Sequence, residues 1–360
     1  MSGGVDSSVA AALLLREGYE VVGVFMRLGS PDGVEAAESC DPTGKSKQGC
    51  CSVLDAADAR CVAAVLDIPL YVLNFQDDFG RVIDYFVDEY NRGRTPNPCV
   101  RCNDWLKFGK LAKYAQAVGA DYVASGHYAR IGIDPLSREA ALMRGHDHRK
   151  DQSYVLFGMN RATIEHTLLP IGEFEKPQVR KIAEELKLPV YNKPDSQEIC
   201  FVPDQDYAAL MKRRSSHAFR AGEVVDSSGA VIGAHEGHQH FTIGQRKGVG
   251  VALGYPVYVV DIDPAENRVT LGQKEELMKR KLIARQTNLI SQRLQNADRL
   301  PCTAKIRYNH SPQPALASVR GADEIEVEFD QPQSAITPGQ AVVLYDGDVV
   351  LGGGWIDAAL

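Results

Sequence analysis

The chain lacks the features that would place it in several large classes. No apolar run comes near the roughly 20 residues needed to cross a bilayer, and no charged-then-apolar secretory leader is visible. Eight cysteines in 360 residues are too few for a disulfide-stapled scaffold. The expected setting is therefore a reducing, cytoplasmic one, where thiols are buried, catalytic or metal-binding. Basic residues are in deficit: 40 Lys and Arg against 47 Asp and Glu give a net charge of −7. That excludes a uniformly basic nucleic-acid coat but leaves local basic patches open. Internal repeats and low-complexity tracts are absent. Apolar residues at 44% and charged residues at 24% describe a globular protein. At roughly 100–200 residues per domain it holds two or three domains.

What is present begins at once. Met1-Ser2-Gly3-Gly4-Val5-Asp6-Ser7-Ser8 runs into an Ala- and Leu-rich stretch ending at Gly18, which reads as a helix with a C-terminal stop. Gly3 and Gly4 permit a tight turn that presents N–H groups, Ser2, Ser7 and Ser8 add hydroxyls, and the helix N-terminus adds partial positive charge. Together they suit a phosphate. No Lys follows the second Gly, so this is not the G-x-x-x-x-G-K-[ST] loop, and a plain turn with an N-cap is the bland alternative. Such loops normally follow a buried parallel strand. Only Met1 precedes this one, which raises the expectation of a short apolar strand upstream in the native protein.

Strands and helices alternate through the first half. Tyr19–Arg27 is a β-branched run, Ser30–Gly49 a polar loop, and Ser52–Leu66 a helix with Leu54, Ala57, Cys61, Val62 and Val65 on one face. Tyr71–Phe75 reads as a strand, Asp78–Tyr90 and Asp104–Ala117 as helices, Tyr122–Ser125 as a strand, and Pro177–Leu186 as a helix started by its proline. The pattern predicts an α/β domain with a doubly wound parallel sheet, whose ligands sit beyond the strand C-termini. The opening loop, Met26 and Gly126-His127 all fall there. After Cys200 the pattern changes to short strands with Asp-, Asn- and Gly-bearing turns, from Gly222–Val231 to Val349–Leu351, which suggests a small β-barrel.

Two further segments could carry chemistry. Arg94-Thr95-Pro96-Asn97-Pro98-Cys99-Val100-Arg101-Cys102-Asn103 places two cysteines three apart on a proline-fixed backbone. Asn91–Tyr114 carries six cations against Asp104 alone, a net +5. Cations raise a thiol's thiolate fraction and attract a phosphate backbone. A zinc knuckle would want a second C-x-x-C or a His pair, and none follows. The other segment, Ser196-Gln197-Glu198-Ile199-Cys200-Phe201, seats Cys200 between apolar residues, so a buried small hydrophobe is an equal reading. Cys40, Cys50, Cys51, Cys61 and Cys302 read as structural or incidental. His235, His238 and His240 lack an acidic or Cys partner at metal spacing, and Lys212-Arg213-Arg214 reads as a solvated face or a further basic patch.

The Ser-Gly-Gly-Val-Asp-Ser-Ser string resembles the pyrophosphate-binding loop of ATP pyrophosphatases, which adenylate a substrate. The whole chain resembles the tRNA-specific 2-thiouridylases. The likeness runs through Met1–Ser8, Gly23–Met26, GRTPNPCVRCN at 93–103, ASGHY at 124–128, KDQSY at 150–154 and EKPQVRKIAEE at 175–185. It continues through DSQEICF at 195–201, TIGQRKGVG at 242–250, KIRY at 305–308, TPGQ at 337–340 and VLGGG at 350–354.

This resemblance implies three parts: a Rossmann-like ATP pyrophosphatase domain over 1–202, a small central domain over 203–275 and a C-terminal β-barrel over 276–360. It implies an ATP site at Met1, Ser2, Gly3, Gly4, Val5, Asp6, Ser7, Met26 and Gly126, with Mg²⁺ on the phosphates and Asp6 as its candidate ligand. Target-base contacts fall at Asn97, Pro98 and Cys99. Contacts to tRNA fall at Lys150, Asp151, Gln152, Arg307 and Tyr308, supported by His127 and Gln340. Cys102 matches the nucleophile and Cys200 the persulfide carrier, the two forming a redox disulfide in turnover. The implied reaction is ATP-dependent 2-thiolation of the wobble uridine of tRNA. A sulfur-carrier or cysteine desulfurase protein supplies persulfide sulfur, and the enzyme works as a monomer. Some members carry Asp where Cys99 stands, and a thiol of ordinary pKa near about 8.5 cannot act as that carboxylate. Three thiols at 99, 102 and 200 leave an iron–sulfur cluster as the alternative route. An amide-forming synthetase with the same loop, or a non-catalytic tRNA-binding protein, are more distant alternatives.

Overall fold

A computed structural model describes residues 1–29, 53–195, 199–202, 206–215, 218–295 and 298–360. The readings placed on the 30–49 loop and on Cys40, Cys50 and Cys51 lie outside these residues. The chain divides into two compact units: Met1–Val82 with Cys99–Asp206, and Ile83–Pro98 with Tyr207–Leu360.

In the first unit, helix α1 (Val5–Arg16) is buried on nearly every side, at Val5, Ser8, Val9, Ala10, Ala11, Ala12 and Leu14. Its alanines let neighbours approach closely. Strand β1 (Gly23–Arg27) pairs in parallel with β2 (Leu70–Asn74), Gly23 opposite Leu70 and Arg27 opposite Asn74. Helix α2 (Val53–Leu66) precedes β2, as a parallel crossover requires. Its expected inner face is corrected. Leu54 and Val65 are more than half exposed and Cys61 is exposed, while Asp55, Ala59, Val62 and Ala63 are buried. The helix is apolar on several sides, so periodicity gave little direction, and Asp55 turns inward to meet a lysine.

Helix α3 spans Gln76–Asn91. The single helix expected over 104–117 is two pieces, a π-helical stretch Cys102–Lys110 and α5 (Leu111–Ala117), and a short helix α4 (Pro98–Arg101) runs into them. Pro98 opens α4, where its missing N–H costs nothing. The wide turn brings the Asp104 carbonyl oxygen to 2.5 Å from where a Cβ on Gly109 would lie, so only glycine fits there. Strand β3 is only Val123–Ala124. A hairpin, β4 (Ala129–Ile133) with β5 (Ala140–Arg144), follows it and is antiparallel; the sequence pattern did not indicate it. Helix α6 (Arg161–Glu165) leads to β6 (Thr167–Leu168), which pairs in parallel with β3. Helix α7 (Lys176–Glu185) starts with a Glu175–Gln178 capping box and Pro177 in its first turn. Val5, Val9, Ala10, Val62, Tyr128, Ile171, Val179, Ala183, Leu188 and Val190 form one core cluster. These parallel pairs and covering helices are the α/β architecture expected for the N-terminal part.

The second unit begins its later part with α8 (Tyr207–Ser215). A four-stranded sheet follows, in the order β8 (Val231–His235), β7 (Gly222–Asp226), β10 (Arg268–Gly272), β9 (Tyr258–Asp263). Its core holds Val224, Phe241, Val249, Val257, Val259, Val269 and Leu271. The C-terminal strands β11 (Met278–Asn288), β12 (Leu300–Lys305), β13 (Gln313–Val319), β14 (Glu324–Ser334), β15 (Ala341–Asp346) and β16 (Val349–Ala359), with the short helix α9 (Gln292–Gln295) between the first two, run antiparallel in the order 11-14-13-12-15-16. Pairing of β11 with β16 closes them into a six-stranded barrel, which leaves no open edge.

Candidate active site

The opening loop is a tight cradle on α1. Gly3 takes φ +73°, and a Cβ there would lie 2.3 Å from the Asp55 carbonyl oxygen. Gly4 is the extended N-cap of α1 and, having no side chain, supplies no cap of its own; the helix start keeps N–H groups for an anion. The Ser2 N–H donates to Ser7 Oγ at 3.1 Å, and the Ser7 and Ser8 hydroxyls donate to Gly4 O at 3.2 and 2.8 Å. Gly126, just past β3, packs onto this turn: a Cβ there would sit 2.5 Å from the Asp6 carbonyl carbon and 2.6 Å from Ser7 N. Met26 lies in β1, and the Met1 amino group donates to Val24 O on the same strand. Burial, with Lys107 adding to it, lowers the pKa of that amine to about 6.

Behind the loop lies an ion-pair network that sequence reading missed. Lys176 Nζ donates to both Asp6 oxygens at 2.7 and 2.9 Å and sits 2.8 Å from Asp195 Oδ1. The Tyr128 hydroxyl donates to Asp6 Oδ1 at 2.8 Å. Asp195 also accepts from Lys150 Nζ at 2.9 Å and from Arg180 at 2.8 Å. Burial raises the Asp195 pKa, but the hydrogen bonds from Lys176 and Lys150 outweigh it and hold the carboxyl at about 2. Lys193 Nζ donates to Gly3 O at 3.0 Å, Asp55 at 2.7 Å and Asp58 at 2.6 Å. Those two carboxylates raise its pKa against the opposing effect of burial. Only the surroundings distinguish these residues from the surface charges such side chains usually are.

His127 is buried between Ser125 Oγ, 2.7 Å from Nδ1, and Lys107 Nζ, 3.4 Å from Nε2. Burial first, and the Lys107 ammonium second, push its pKa well below 6.5. An ammonium only donates, so Nε2 is the acceptor and Nδ1–H donates to Ser125. In the 150–152 triplet, Lys150 is half-exposed, whereas Asp151 is 4% exposed. The Asp151 carboxylate accepts from the Gly145 and Ser153 N–H groups at 3.1 and 3.0 Å and from Ser153 Oγ at 3.1 Å, so it shapes the turn. Gln152 Oε1 accepts from Tyr128 N at 2.9 Å. Cys99 is exposed on α4, and Cys102, half-buried, opens the π-helical stretch. Arg101 and Arg81 lie over the Trp105 ring at 5.1 and 5.5 Å. Cys200 is half-buried in a turn closed by Val202 N–H to Ile199 O at 2.8 Å, and Phe201 packs edge-on to Phe79.

The second unit holds the remaining predicted residues. The Thr337–Gln340 turn grips the segment that leads to Asn97 and Pro98. Gln340 Nε2 donates to Thr95 O at 3.1 Å and Pro96 O at 3.0 Å, and Thr95 N–H donates to Pro338 O at 2.9 Å. Arg94 is paired with Glu89 at 2.8 Å and Asp357 at 3.0 Å. Arg307 is half-buried and Tyr308 exposed, with Lys305 Nζ 5.4 Å from the Tyr308 ring centre. His238 uses both ring nitrogens, on Asn267 Oδ1 at 3.1 Å and Asn91 O at 3.2 Å. Among the described residues no three His, Cys, Asp or Glu side chains are grouped to hold a metal, and no helix is long and apolar enough to cross a membrane.

Family models match the chain from end to end. Residues 1–204 match a tRNA methyl transferase HUP domain, 211–273 a tRNA methyl transferase PRC-barrel domain, and 279–356 an aminomethyltransferase β-barrel domain. The chain is 49% identical to the tRNA-specific 2-thiouridylase MnmA of Clostridioides difficile, covering 100% of this chain and 97% of that protein. It is also 49% identical to the protein of that name from Carboxydothermus hydrogenoformans, again over 100% and 97% of the two chains. The protein of that name from Rhodopirellula baltica is 47% identical over 100% of this chain and 96% of its own length. The resemblance first seen in scattered strings therefore holds along the whole sequence, and the chain belongs to the tRNA-specific 2-thiouridylase family.

Proposed function

We propose that this chain converts the wobble uridine of tRNA to 2-thiouridine at the expense of ATP, as a monomeric cytoplasmic sulfurtransferase. The observation that carries the reading is the cradle at the start of α1, with Gly126 packed on Asp6 and Ser7, in the same unit as Cys102 and Cys200. Oxygen leaves C2 of uridine poorly as hydroxide. Transfer of AMP to that oxygen, with release of pyrophosphate, makes it a good leaving group. The N–H groups of the α1 cradle receive the pyrophosphate as it forms. The uridine enters flipped out of its stack, against Asn97, Pro98 and Cys99. Lys150, Gln152, Arg307 and Tyr308 hold the tRNA, with Asp151 and His127 fixing the local turns and Gln340 fixing the approach to Asn97.

A persulfide-donating protein loads Cys200. The Cys102 thiolate then attacks the inner sulfur of the Cys200 persulfide and expels hydrosulfide. Hydrosulfide adds to C2, AMP departs, and an external thiol reduces the Cys102–Cys200 disulfide. Both Asp6 oxygens are engaged by Lys176, and Tyr128 adds a second bond. The donor set on the protein is therefore a poor Mg²⁺ site, and none of these steps depends on a protein-held metal.

The test is mass spectrometry of tRNA nucleosides after incubation with ATP and a persulfide donor. The wild-type chain is expected to make 2-thiouridine with AMP and pyrophosphate, and Cys200→Ser or Cys102→Ala to lose at least ~10³-fold of it. Full thiolation by Cys200→Ser contradicts the scheme.

A further inference from the structure

Two neighbouring charged residues fasten one short segment to the phosphate cradle at two points. Lys193 Nζ donates to Gly3 O at 3.0 Å, while Asp195 shares Lys176 Nζ, at 2.8 Å, with the Asp6 carboxylate at 2.7 Å. Gly3 and Asp6 flank Gly4, the N-cap of α1. Pro194, between the two charges, has its φ fixed near −65°, which limits how the segment can slacken. Asp195 lies five residues before Cys200 and also receives Lys150 and Arg180.

We infer that Lys193-Pro194-Asp195, with Lys176, is a positioning staple that couples the ATP cradle to sulfur delivery from Cys200; this rests on the thiolation reading above. The geometry gives the coupling a physical route. Lys176 Nζ is one cation serving two carboxylates, one in the first turn of α1 and one on the segment that carries Cys200. Any shift of Asp6 or Lys176 when phosphates occupy the cradle changes the hold on Asp195. Asp195 also accepts from Lys150, so the cradle and the tRNA-contact triplet share one node, and the same carboxylate stands five residues before Cys200 in the chain. Lys176 is 7% and Asp55 4% exposed. Buried pairs of this kind contribute little net stability when intact but are costly to break singly, so their use here is to fix geometry. Lys176, Lys193 and Asp195 are positioning residues, because they act through Asp6, Gly3 and Lys150.

A merely stabilising network would lower adenylation and thiolation together; a staple separates them. Pyrophosphate and 2-thiouridine are to be measured in the same reaction, with tRNA, ATP and a persulfide donor, for the wild type, Asp195→Asn and Arg180→Met. The wild type is expected to release about one pyrophosphate per thiouridine formed. Misplacing a reacting group by about 1 Å can cost ~10²-fold in its step, so Asp195→Asn is expected to raise that ratio about tenfold by failing mainly at sulfur transfer. Asp195→Glu should restore part of the coupling. Arg180→Met, which removes only an outer partner, covers the case in which Asp195→Asn does not fold, and should raise the ratio less. A ratio unchanged in every folded variant overturns the inference while leaving the function intact. A wild type that makes no thiouridine overturns the function itself.

Discussion

The two units hold themselves together by different means. In the barrel, Ala341–Tyr345 of β15 and Val349–Ile356 of β16 are buried at every position, joined by an antiparallel ladder. Its order comes from apolar burial and backbone hydrogen bonds that close on themselves. The α/β unit gathers buried charge beside its loop: Asp55, Lys176, Asp151 and His127 are all less than a tenth exposed. Its backbone is irregular at the same places, with Gly3 in the left-handed region and a π-helical run starting at Cys102. In the proposed function the barrel keeps its shape, while the α/β unit receives an anion beside several reactive groups. A strained turn and a π-helical run that coincide with candidate reactive groups are a pointer to chemistry.

Substitutions matched across the units break or sharpen this contrast. The largest effect is expected at Gly126→Ala, whose Cβ would lie 2.5 Å from the backbone of Asp6. Tight turns of this kind do not absorb such overlap, and ATP-dependent pyrophosphate release should fall by ~10²-fold. The barrel control Gly347→Ala, with open space at its Cβ, should leave that release unchanged and cost about 1 kcal/mol for its positive φ. Next comes Leu344→Ala, at a fully buried barrel position. It should destabilise the fold by about 2–5 kcal/mol, read by chemical denaturation, with no change in turnover of the folded enzyme. Gln340→Ala removes two hydrogen bonds to the Thr95 and Pro96 carbonyls. It should cost about 1–3 kcal/mol and weaken thiolation more than pyrophosphate release.

The smallest expected effect is on pH dependence. His127 is held neutral well below its usual 6.5 by burial and Lys107. The unfolded chain binds that proton and the folded chain does not, so the stabilisation is present above pH ~6.5 and is lost as pH falls. In His127→Gln, the loss of stability from about pH 7 to about pH 5 should be smaller than in the wild type. His310, lowered by burial and by Arg307 and Lys305, and His235, lowered by burial, act in the same direction within the second unit. The comparison is therefore the difference between variant and wild type.

The SGGVDSS cradle and its helix were legible in the sequence, because glycine, serine and a helix start form a local signal. So was the succession of short strands after residue 222, apart from β8, which begins where the single strand expected over Gly222–Val231 ends and pairs back on β7, and β11. Its sequence MKRKLIARQTN carries charge on the exposed side and buries only Leu282 and Ala284, too weak an alternation to stand out. The α2 face was misread because Asp55 is buried through Lys193, a partner 138 residues away. The same holds for Lys176, Asp195 and Tyr128. Long-range ion pairs leave no periodic trace, and a lysine that meets two aspartates looks in sequence like any surface lysine. The π-helical run at Cys102 was equally hidden, since its residues satisfy an α-helical pattern.

The central claim is that adenylation of the uridine precedes sulfur transfer and uses separate groups of the α/β unit. Cys200→Ser, incubated with tRNA and ATP labelled in its α-phosphate, tests it most directly. The account predicts label on the tRNA, with pyrophosphate released and no 2-thiouridine formed. Absence of label and of pyrophosphate, from a folded variant that still binds ATP and tRNA, would contradict it.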